Sequence, residues 1–417
     1  MNCAVNQIRN ASGAIWSAAG NTMYALSSVV LLVAVSRSNS IAVTGSFSFA
    51  YTFAQMLLFV GLFGVSALQM TDYEERHTFS DYFGLRVASI AGMLGLGIIA
   101  GVVSVGENGK AGFIILLTAY MGIQAIADLY QSRLIQMNQM RLYGQAQFFR
   151  MLLSSVAFVA AIALWRTPIL AITAMILLNA VTTIIWCIIK AKPFYPTLHL
   201  PSIEGIRRLA RESWPLCLGL FLISFIVSCS KYCIDVQLDD EIQGYYNLIF
   251  LPSYVITLIS QFVFLPMLKG YHTIISTGDK ATVGRLIFRN IGALVGLTMV
   301  ACAGIYFLGP LLLGMIYQTE LSQFRAEMLV VMLGGGFFAV YQFYYYLLVL
   351  IKKQGILLRN LMIGMVLTIP LTYFGISRFG MMGACVAYAA TMLLLVGIFA
   401  ISFQRDQKMH RLASDGA

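Results

Sequence analysis

Charged residues inside or at the edge of long apolar stretches are the first candidates for chemistry, since a charge at the centre of a membrane helix costs about 2.5–3.5 kcal/mol. Lys231 and Asp235 stand one helical turn apart and could form an ion pair, while Arg37 ends the first apolar stretch. Arg37 and Lys231 could face a central cavity and bind a substrate there, and Asp235 is a candidate for ion coupling. The alternative is that both cations are solvated anchors at the outer face of a membrane.

Three further charges stand near the predicted inner ends of apolar stretches. Arg86 and Arg150 could bind an anionic headgroup from the inner leaflet, or act only as positive anchors. Asp128 could bind a coupling proton or sodium ion, or pair with Arg133 at the end of its helix.

An aromatic cluster lies inside the tenth apolar stretch, and it consists of Tyr341, Phe343, Tyr344, Tyr345 and Tyr346. Tyrosine rings can stack on sugars while their hydroxyls bond them, so Tyr344 is a candidate for substrate binding. The alternative is an aromatic belt at the membrane interface.

The sequence shows no nucleophile with its base, Walker loop, metal-ligand set or glycine-rich phosphate cradle. The four histidines (His77, His199, His272 and His410) all fall in predicted cytoplasmic loops. We therefore predict no enzyme activity, no bound metal, and no cofactor other than a coupling H⁺ or Na⁺.

Composition places these residues in a membrane. Of 417 residues, 59% are hydrophobic and 11% are charged, against about 25% charged in an ordinary soluble domain. The net charge of +10 forms no single basic patch, so nucleic acid is not predicted as a partner. The seven cysteines mostly lie in apolar stretches and show no metal-ligand spacing.

Twelve stretches of at least about 15 residues lack Asp, Glu, Lys and Arg, as expected of membrane spans. They are 10–36, 38–71, 87–106, 111–127, 151–165, 167–189, 213–230, 242–268, 290–319, 328–351, 360–377 and 379–404. With the N-terminus in the cytoplasm, every Lys and Arg lies on the cytoplasmic side except Arg37, Lys110, Arg166, Lys231, Arg325 and Arg378. This bias predicts a multi-pass protein of the bacterial inner membrane with both termini cytoplasmic.

The longest polar interruption contains three prolines and divides the chain. We predict a six-helix half at 1–192, a cytoplasmic connector with an amphipathic helix at 193–212, a second six-helix half at 213–404, and a tail at 405–417. A shift of 199 residues lays Gly45 on Gly244 and Phe63 on Phe262. The predicted fold is all-α, with twelve transmembrane helices in two parallel six-helix repeats around a central cavity.

One segment of the first half carries a recognisable pattern. FVGLFGVSALQMTDYEERHTFSDYFGLR includes Asp72, Phe79, Asp81, Tyr82 and Arg86. It resembles the polysaccharide-transporter branch of the multidrug/oligosaccharidyl-lipid/polysaccharide exporter superfamily, the flippases of lipid-linked O-antigen and capsule repeat units.

Other segments resemble the same family in the same order. IADLYQSRLIQMNQMRLYGQAQFFR contains Asp128 and ends at Arg150, and SWPLCLGLFLISFIVSCSKYCIDVQL contains Lys231 where relatives often have Arg. FGMMGACVAYAATMLLL resembles the start of the family's twelfth helix. The resemblance runs nearly end to end and implies the fold of the multidrug exporters.

The resemblance also implies a substrate and partners. The substrate would be an undecaprenyl-diphosphate-linked oligosaccharide, turned from the cytoplasmic to the periplasmic leaflet, with membrane lipids, a polysaccharide polymerase and a chain-length regulator as partners. Three rival functions stay open: a multidrug cation antiporter, which would need a net acidic cavity; a lipid II flippase; and a membrane glycan polymerase or ligase, which would usually carry a large periplasmic domain.

Overall fold

The computed structural model describes residues 2–72, 74–105, 109–196, 199–254, 256, 280–350 and 354–414, and every regular element in them is helical. The chain forms two compact units, Met1–Phe221 and Leu222–Ala417. The boundary lies inside a single helix of 35 residues, Ile203–Gln237. Each unit is described separately below.

The first unit is built from seven helices and the start of an eighth. They are α1 (Asn2–Ser38), α2 (Ile41–Leu62), α3 (Val65–Thr71), α4 (Phe79–Val103), α5 (Lys110–Gln136), α6 (Met140–Trp165), α7 (Pro168–Thr183) and the first part of α8 (Ile203–Gln237). A π-helical segment, Ile184–Ile189, continues α7, and a short 3₁₀ helix, Lys192–Phe194, follows it.

The second unit contains the rest of α8 and four further helices. They are α9 (residues 240–254), α10 (Lys280–Tyr317), α11 (Arg325–Leu350) and α12 (Gln354–Ser414). In α12, Gly380 has a φ of 55° and a ψ of −135°, which breaks the helix into two arms.

Ten of the described helices are long and apolar enough to cross a membrane. The last, Gln354–Arg405, has 52 residues, or about 78 Å of helix, enough to cross a core of about 30 Å twice. Its break at Gly380 separates the predicted spans 360–377 and 379–404. The predicted span 242–268 begins in α9, and its remainder, with Phe262, lies outside the described residues. The prediction of an all-α polytopic membrane fold is confirmed.

Several predicted boundaries are wrong for a common reason. α4 begins at Phe79 instead of 87, α6 begins at Met140 instead of 151, and α5 continues to Gln136 instead of ending at 127. A search for uncharged runs stops at the first charge. Arg86, Asp128 and Arg150 lie within these helices, where each forms hydrogen bonds with other side chains.

The predicted span 38–71 is two helices, because the chain turns at Phe63 and Gly64, with φ of 48° and 67°. A Cβ on Gly64 would lie 2.7 Å from the Cβ of Leu216 and 2.8 Å from the carbonyl oxygen of Ser213. Glycine is therefore required both by the left-handed conformation and by the close approach of α8.

The core of the first unit lies between α1, α2, α4, α5, α6 and α7, and includes Leu31, Phe47, Met93, Leu117 and Phe158. α1 packs chiefly along α6. At their crossing a Cβ on Gly144 would overlap the backbone of Trp16 and Ser17, so the absence of a side chain sets the distance between the two helices.

The connector does not form a separate helix. Residues from Ile203 onward are the first turns of α8. Arg207, Arg208 and Arg211 are exposed, whereas Leu209 is fully buried in a cluster with Tyr82 and Leu85 of α4. Part of the apolar face of this stretch thus packs on protein.

Candidate functional site

Two guanidinium groups are buried inside the first unit, one from α4 and one from α6. Arg86 and Arg150 each have a relative exposure of 1%. Both guanidiniums are enclosed by protein side chains, whereas an anchor at the membrane surface would extend its charge towards the headgroups. They differ in what surrounds them.

Arg86 is neutralised by a carboxylate. Its Nη2 lies 2.9 Å from Oδ2 of Asp128 and 3.0 Å from Oγ of Ser66, and its Nη1 donates to the carbonyl oxygen of Gly61 at 3.3 Å. The Ser66 hydroxyl also donates to Asp128. This network ties α4 to α5 and to the turn between α2 and α3.

The expected pairing of Asp128 with Arg133 is wrong. Arg133 Nη1 lies 2.9 Å from Glu75 Oε1 and also donates to Gln136 at 2.8 Å. Positions 128 and 133 are five residues apart on α5, so they point to different sides of the helix, and Arg133 reaches the loop after α3 instead.

Arg150 has only neutral partners. Its Nε donates to Thr183 Oγ1 at 3.1 Å, its Nη1 to Gln147 Oε1 at 3.3 Å, and its Nη2 to Gln124 Oε1. Within the part of the chain that the structure describes, no carboxylate forms an ion pair with it. Its charge is hydrogen-bonded but is not neutralised by any of these partners.

Polar side chains of α1, α5 and α6 lie near these groups, and we refer to this region as the polar pocket. The side chain of Asp128 is 30% exposed and Tyr24 is 38% exposed. Tyr24 interacts electrostatically with Asp128, Arg150 and Tyr143, and Tyr143 Oη donates to Asn21 Oδ1 at 2.8 Å. With two guanidiniums and one carboxylate, the pocket carries a net positive charge.

Residues at the N-terminus of α4 contact the connector and the start of α8. Asp81 forms a capping box with Thr78, and its Oδ1 accepts from the backbone N–H of Ser202 at 3.2 Å. A Cβ on Gly205 would meet the Asp81 carboxylate, so the start of α8 lies directly on the N-terminus of α4. Phe79 stacks on Tyr195 at 5.6 Å. These residues therefore hold the connector against the helical bundle.

Asp72 organises the same loop. Its carboxylate accepts the backbone N–H groups of Arg76 at 2.9 Å and His77 at 3.2 Å, and the Tyr82 hydroxyl at 2.9 Å. Burial raises the pKa of the Asp72 carboxyl, but these hydrogen bonds outweigh it and the pKa lies below its ordinary value. His77 also contacts Glu212 at 3.1 Å.

The candidates near the predicted outer ends differ in exposure. Arg37 is exposed in the last turn of α1. Lys231 in α8 is 6% exposed, and its Nζ lies 4.8 Å from the ring centroid of Phe250 and 5.9 Å from that of Tyr254. Asp235 is half-buried one turn further along α8. Lys231 is thus held within the second unit by aromatic rings.

Tyr344 packs in the interior of the second unit. It is buried, and its ring meets Phe403 of α12 edge-on at 6.3 Å, while Tyr341 meets Phe399 at 4.8 Å. Both rings join α11 to α12. Tyr345 and Tyr346 are half-buried and leave more of their rings accessible.

The sequence analysis missed several partners of the buried charges. Gln147 precedes Arg150 by one helical turn, a spacing that could have identified it. Gln124, Thr183 and Ser66 lie 26, 33 and 20 residues from the guanidiniums they contact. Only the folded structure brings these three to their partners.

Known structures share this fold. The lipid II flippase MurJ in an inward closed conformation is similar with a TM-score of 0.71 and 12% identity, over 92% of this chain and 87% of that one. A mutant of the MATE transporter VcmN of Vibrio cholerae is similar with a TM-score of 0.64 and 12% identity, over 96% of this chain and 98% of that one. A MOP superfamily transporter from Pyrococcus furiosus is similar with a TM-score of 0.59 and 13% identity, over 95% of each chain.

No curated protein sequence matches the chain. A family model described as polysaccharide biosynthesis protein matches residues 11–272, which is more than half of the chain. The fold and this match agree with the resemblance found in the sequence. The chain belongs to the polysaccharide biosynthesis protein family.

Proposed function

We propose that this protein is a flippase that moves undecaprenyl-diphosphate-linked oligosaccharide units from the cytoplasmic to the periplasmic leaflet by alternating access, for O-antigen or a related surface polysaccharide. The observation that carries the proposal is Arg150, a buried guanidinium whose partners among the described residues are all neutral. Family membership supplies the link to polysaccharide biosynthesis.

The physics of the substrate separates its tail from its headgroup. Each buried CH₂ of the tail contributes about 0.8 kcal/mol, so a polyprenyl chain stays in lipid while the headgroup is carried. A diphosphate that leaves bulk water needs cations and hydrogen-bond donors to offset its desolvation. Arg150 supplies both, and its planar guanidinium suits a phosphate.

The sign of the pocket charge disfavours a multidrug cation antiporter, for which a net acidic cavity is expected. In the first unit the described charges of the pocket are Arg86, Asp128 and Arg150, and Arg86 already neutralises Asp128. The remaining charge is positive and attracts an anion.

Coupling to H⁺ or Na⁺ is part of the proposal, with Asp128 and Asp235 as the candidate carboxylates. At Asp128 the ion would compete with Arg86 at 2.9 Å. Binding of a coupling ion there would therefore release Arg86, which is a route by which the ion could change the charge offered to the substrate.

We also propose that both termini face the cytoplasm of the inner membrane, as the distribution of Lys and Arg predicts. A phosphatase that is active only in the periplasm, fused after Gln404, should be inactive. A reporter that is active only in the cytoplasm should be active at the same position, and the reverse pattern would refute this orientation.

Deletion of the gene, followed by extraction of polyprenyl-linked intermediates, tests the proposed function. We expect one complete oligosaccharide unit to accumulate on the cytoplasmic face, and Arg150→Gln to fail to clear it. Arg208→Gln is the matched control, because Arg208 is exposed on α8. No accumulation in the deletion strain would refute the proposal.

A structural role for Arg150 can be separated from a role in transport. Among the described residues Arg150 pairs with no carboxylate, so replacing this buried charge by a neutral amide should preserve or raise stability. Purified Arg150→Gln should therefore unfold at a temperature no lower than the wild type. A stable but inactive variant indicates a role in transport, whereas an unstable variant indicates a structural one.

A further inference from the structure

Beside the buried guanidinium, two helices present a row of neutral polar and aromatic side chains. On α6, Tyr143, Gln147 and Arg150 follow the i, i+4, i+7 spacing of one helix face. On α1, Asn21 and Tyr24 stand three residues apart, and the Tyr143 hydroxyl donates to Asn21 at 2.8 Å. The two rows meet along the close α1–α6 contact at Gly20 and Gly144.

We propose that Tyr143, Asn21 and Tyr24 form a subsite for a sugar of the transported saccharide, next to the phosphate site at Arg150. The inference rests on the proposed function and assigns the residues that recognise the glycan. The three residues are neutral, so this part of the pocket differs in chemistry from the cationic site at Arg150.

The chemistry of the row suits a sugar better than a second phosphate. Asn21, Tyr24 and Tyr143 carry no charge, and they offer aromatic faces together with amide and hydroxyl groups that both donate and accept hydrogen bonds. A sugar presents apolar C–H faces and hydroxyls, which these groups match, whereas a phosphate is bound more strongly by cations.

The dimensions also fit adjacent groups of one headgroup. Tyr143 and Arg150 are seven residues apart on α6, which places their backbones about 10 Å apart along the helix. That distance accommodates a phosphate at one end and a sugar ring at the other.

The proposed sugar subsite is accessible, and a sugar hydroxyl could replace the hydrogen bond between Tyr143 and Asn21. Asn21 is exposed and Tyr24 is 38% exposed. The Tyr143–Asn21 hydrogen bond joins two neutral groups, so a sugar hydroxyl can replace either partner without leaving a buried charge unpaired. Arg150, in contrast, is 1% exposed and held by Gln124, Gln147 and Thr183.

The test compares two ligands on the full-length protein in lipid nanodiscs. One probe is undecaprenyl diphosphate, and the other is the undecaprenyl-diphosphate-linked oligosaccharide extracted from the deletion strain. The variants are Tyr143→Phe, Asn21→Ala and Arg150→Gln. Tyr373→Phe is the matched control, because Tyr373 is 49% exposed in the second unit.

We expect Tyr143→Phe and Asn21→Ala each to weaken binding of the oligosaccharide-bearing lipid by about three- to tenfold, the worth of a neutral hydrogen bond, and to leave undecaprenyl diphosphate binding unchanged. Arg150→Gln should weaken binding of both ligands, and Tyr373→Phe of neither. Thermal unfolding of each variant establishes that it is folded, and Asn21→Ala supplies the answer if Tyr143→Phe does not fold.

Two results overturn the inference. If Tyr143→Phe and Asn21→Ala affect both ligands equally, or neither ligand, the row does not recognise the glycan, while an effect of Arg150→Gln would leave the proposed function intact. If Arg150→Gln also changes neither affinity, the phosphate site at Arg150 is wrong as well, whereas the proposed function is refuted separately, by the lack of accumulation in the deletion strain.

Discussion

Arg86 of α4 and Asp128 of α5 form an ion pair at 2.9 Å inside the first unit, 42 residues apart in sequence. Arg150, also buried, has no such partner among the described residues. The two arginines occupy the same unit and have equal burial, yet one is neutralised and the other is held only by amides and a hydroxyl. This difference directs the functional hypothesis first to Arg150, while Arg86 would become available to the substrate only when its pairing with Asp128 is broken.

Removing one member of the Arg86–Asp128 pair should destabilise the protein. Asp128→Asn leaves a buried guanidinium without its counter-charge, which costs about 3 kcal/mol. The double variant Arg86→Gln/Asp128→Asn removes both charges and should recover much of that loss. Thermal unfolding of the single and double variants measures the coupling between the two residues.

The control for that cycle is the Arg133–Glu75 pair. Glu75 is 63% exposed, so Glu75→Gln should cost less than about 1 kcal/mol. If Asp128→Asn costs no more than Glu75→Gln, the buried pair is not structural, and Arg86 becomes a second candidate for binding substrate.

Asp81 should hold the start of α8 against α4. Asp81→Ala removes the hydrogen bonds that its carboxylate accepts from Thr78 in the capping box, at a cost of about 1 kcal/mol, and the acceptor for the Ser202 N–H. We expect trypsin to cut the connector faster at Arg207 and Arg208, which are exposed, in this variant, as measured by limited proteolysis of purified protein.

Asp239→Ala is the matched control for the Asp81 variant. Asp239 Oδ1 accepts the backbone N–H of Ile242 at 2.9 Å at the start of α9, far along the chain from the connector. It should cost a similar capping energy and leave cleavage of the connector unchanged. Equal acceleration in both variants would contradict a specific role for Asp81.

The stability of the first unit should depend on pH through Asp72. Its pKa is lower in the folded protein than the ordinary value of 3.8, because the hydrogen bonds from Arg76, His77 and Tyr82 favour the carboxylate. The stabilisation is therefore present above about pH 4 and is lost as pH falls through the lower, folded pKa.

Thermal unfolding of wild type and Asp72→Asn from about pH 2 to about pH 7, a range that brackets the ordinary carboxyl pKa, isolates this contribution. The difference in unfolding temperature between wild type and Asp72→Asn should be constant near neutral pH and should shrink as the pH falls. A difference that does not change with pH would show that Asp72 acts through its shape and not through its charge.

Arg37 and Lys231 are predicted to meet the diphosphate during transport, one from each half. Arg37→Ala and Lys231→Ala should each reduce surface polysaccharide at normal expression. Lys231→Arg should retain activity, since it keeps the charge that lies over Phe250. Full complementation of a deletion strain by both alanine variants would refute the hypothesis and leave Arg150 as the principal cation.

The sequence alone was sufficient for the class of fold. Long apolar runs and the bias of Lys and Arg predict membrane helices because a bilayer admits few charges, and this requirement acts on each segment independently. The order of loose motifs from Asp72 to Arg86 and from Asp128 to Arg150 identified the family for the same reason, since motif order is a property of the chain.

The tertiary structure decided which charges are neutralised. The charge-free runs began the predicted helices only after Arg86 and Arg150, but both residues lie inside α4 and α6, where Asp128, Gln124 and Thr183 form hydrogen bonds with them. Whether a buried arginine meets a carboxylate or an amide depends on which faces of α4, α5, α6 and α7 pack together. That packing is set by contacts between residues distant in sequence, such as the approach of Gly144 to Trp16, and it gives Arg86 a carboxylate partner and Arg150 neutral partners.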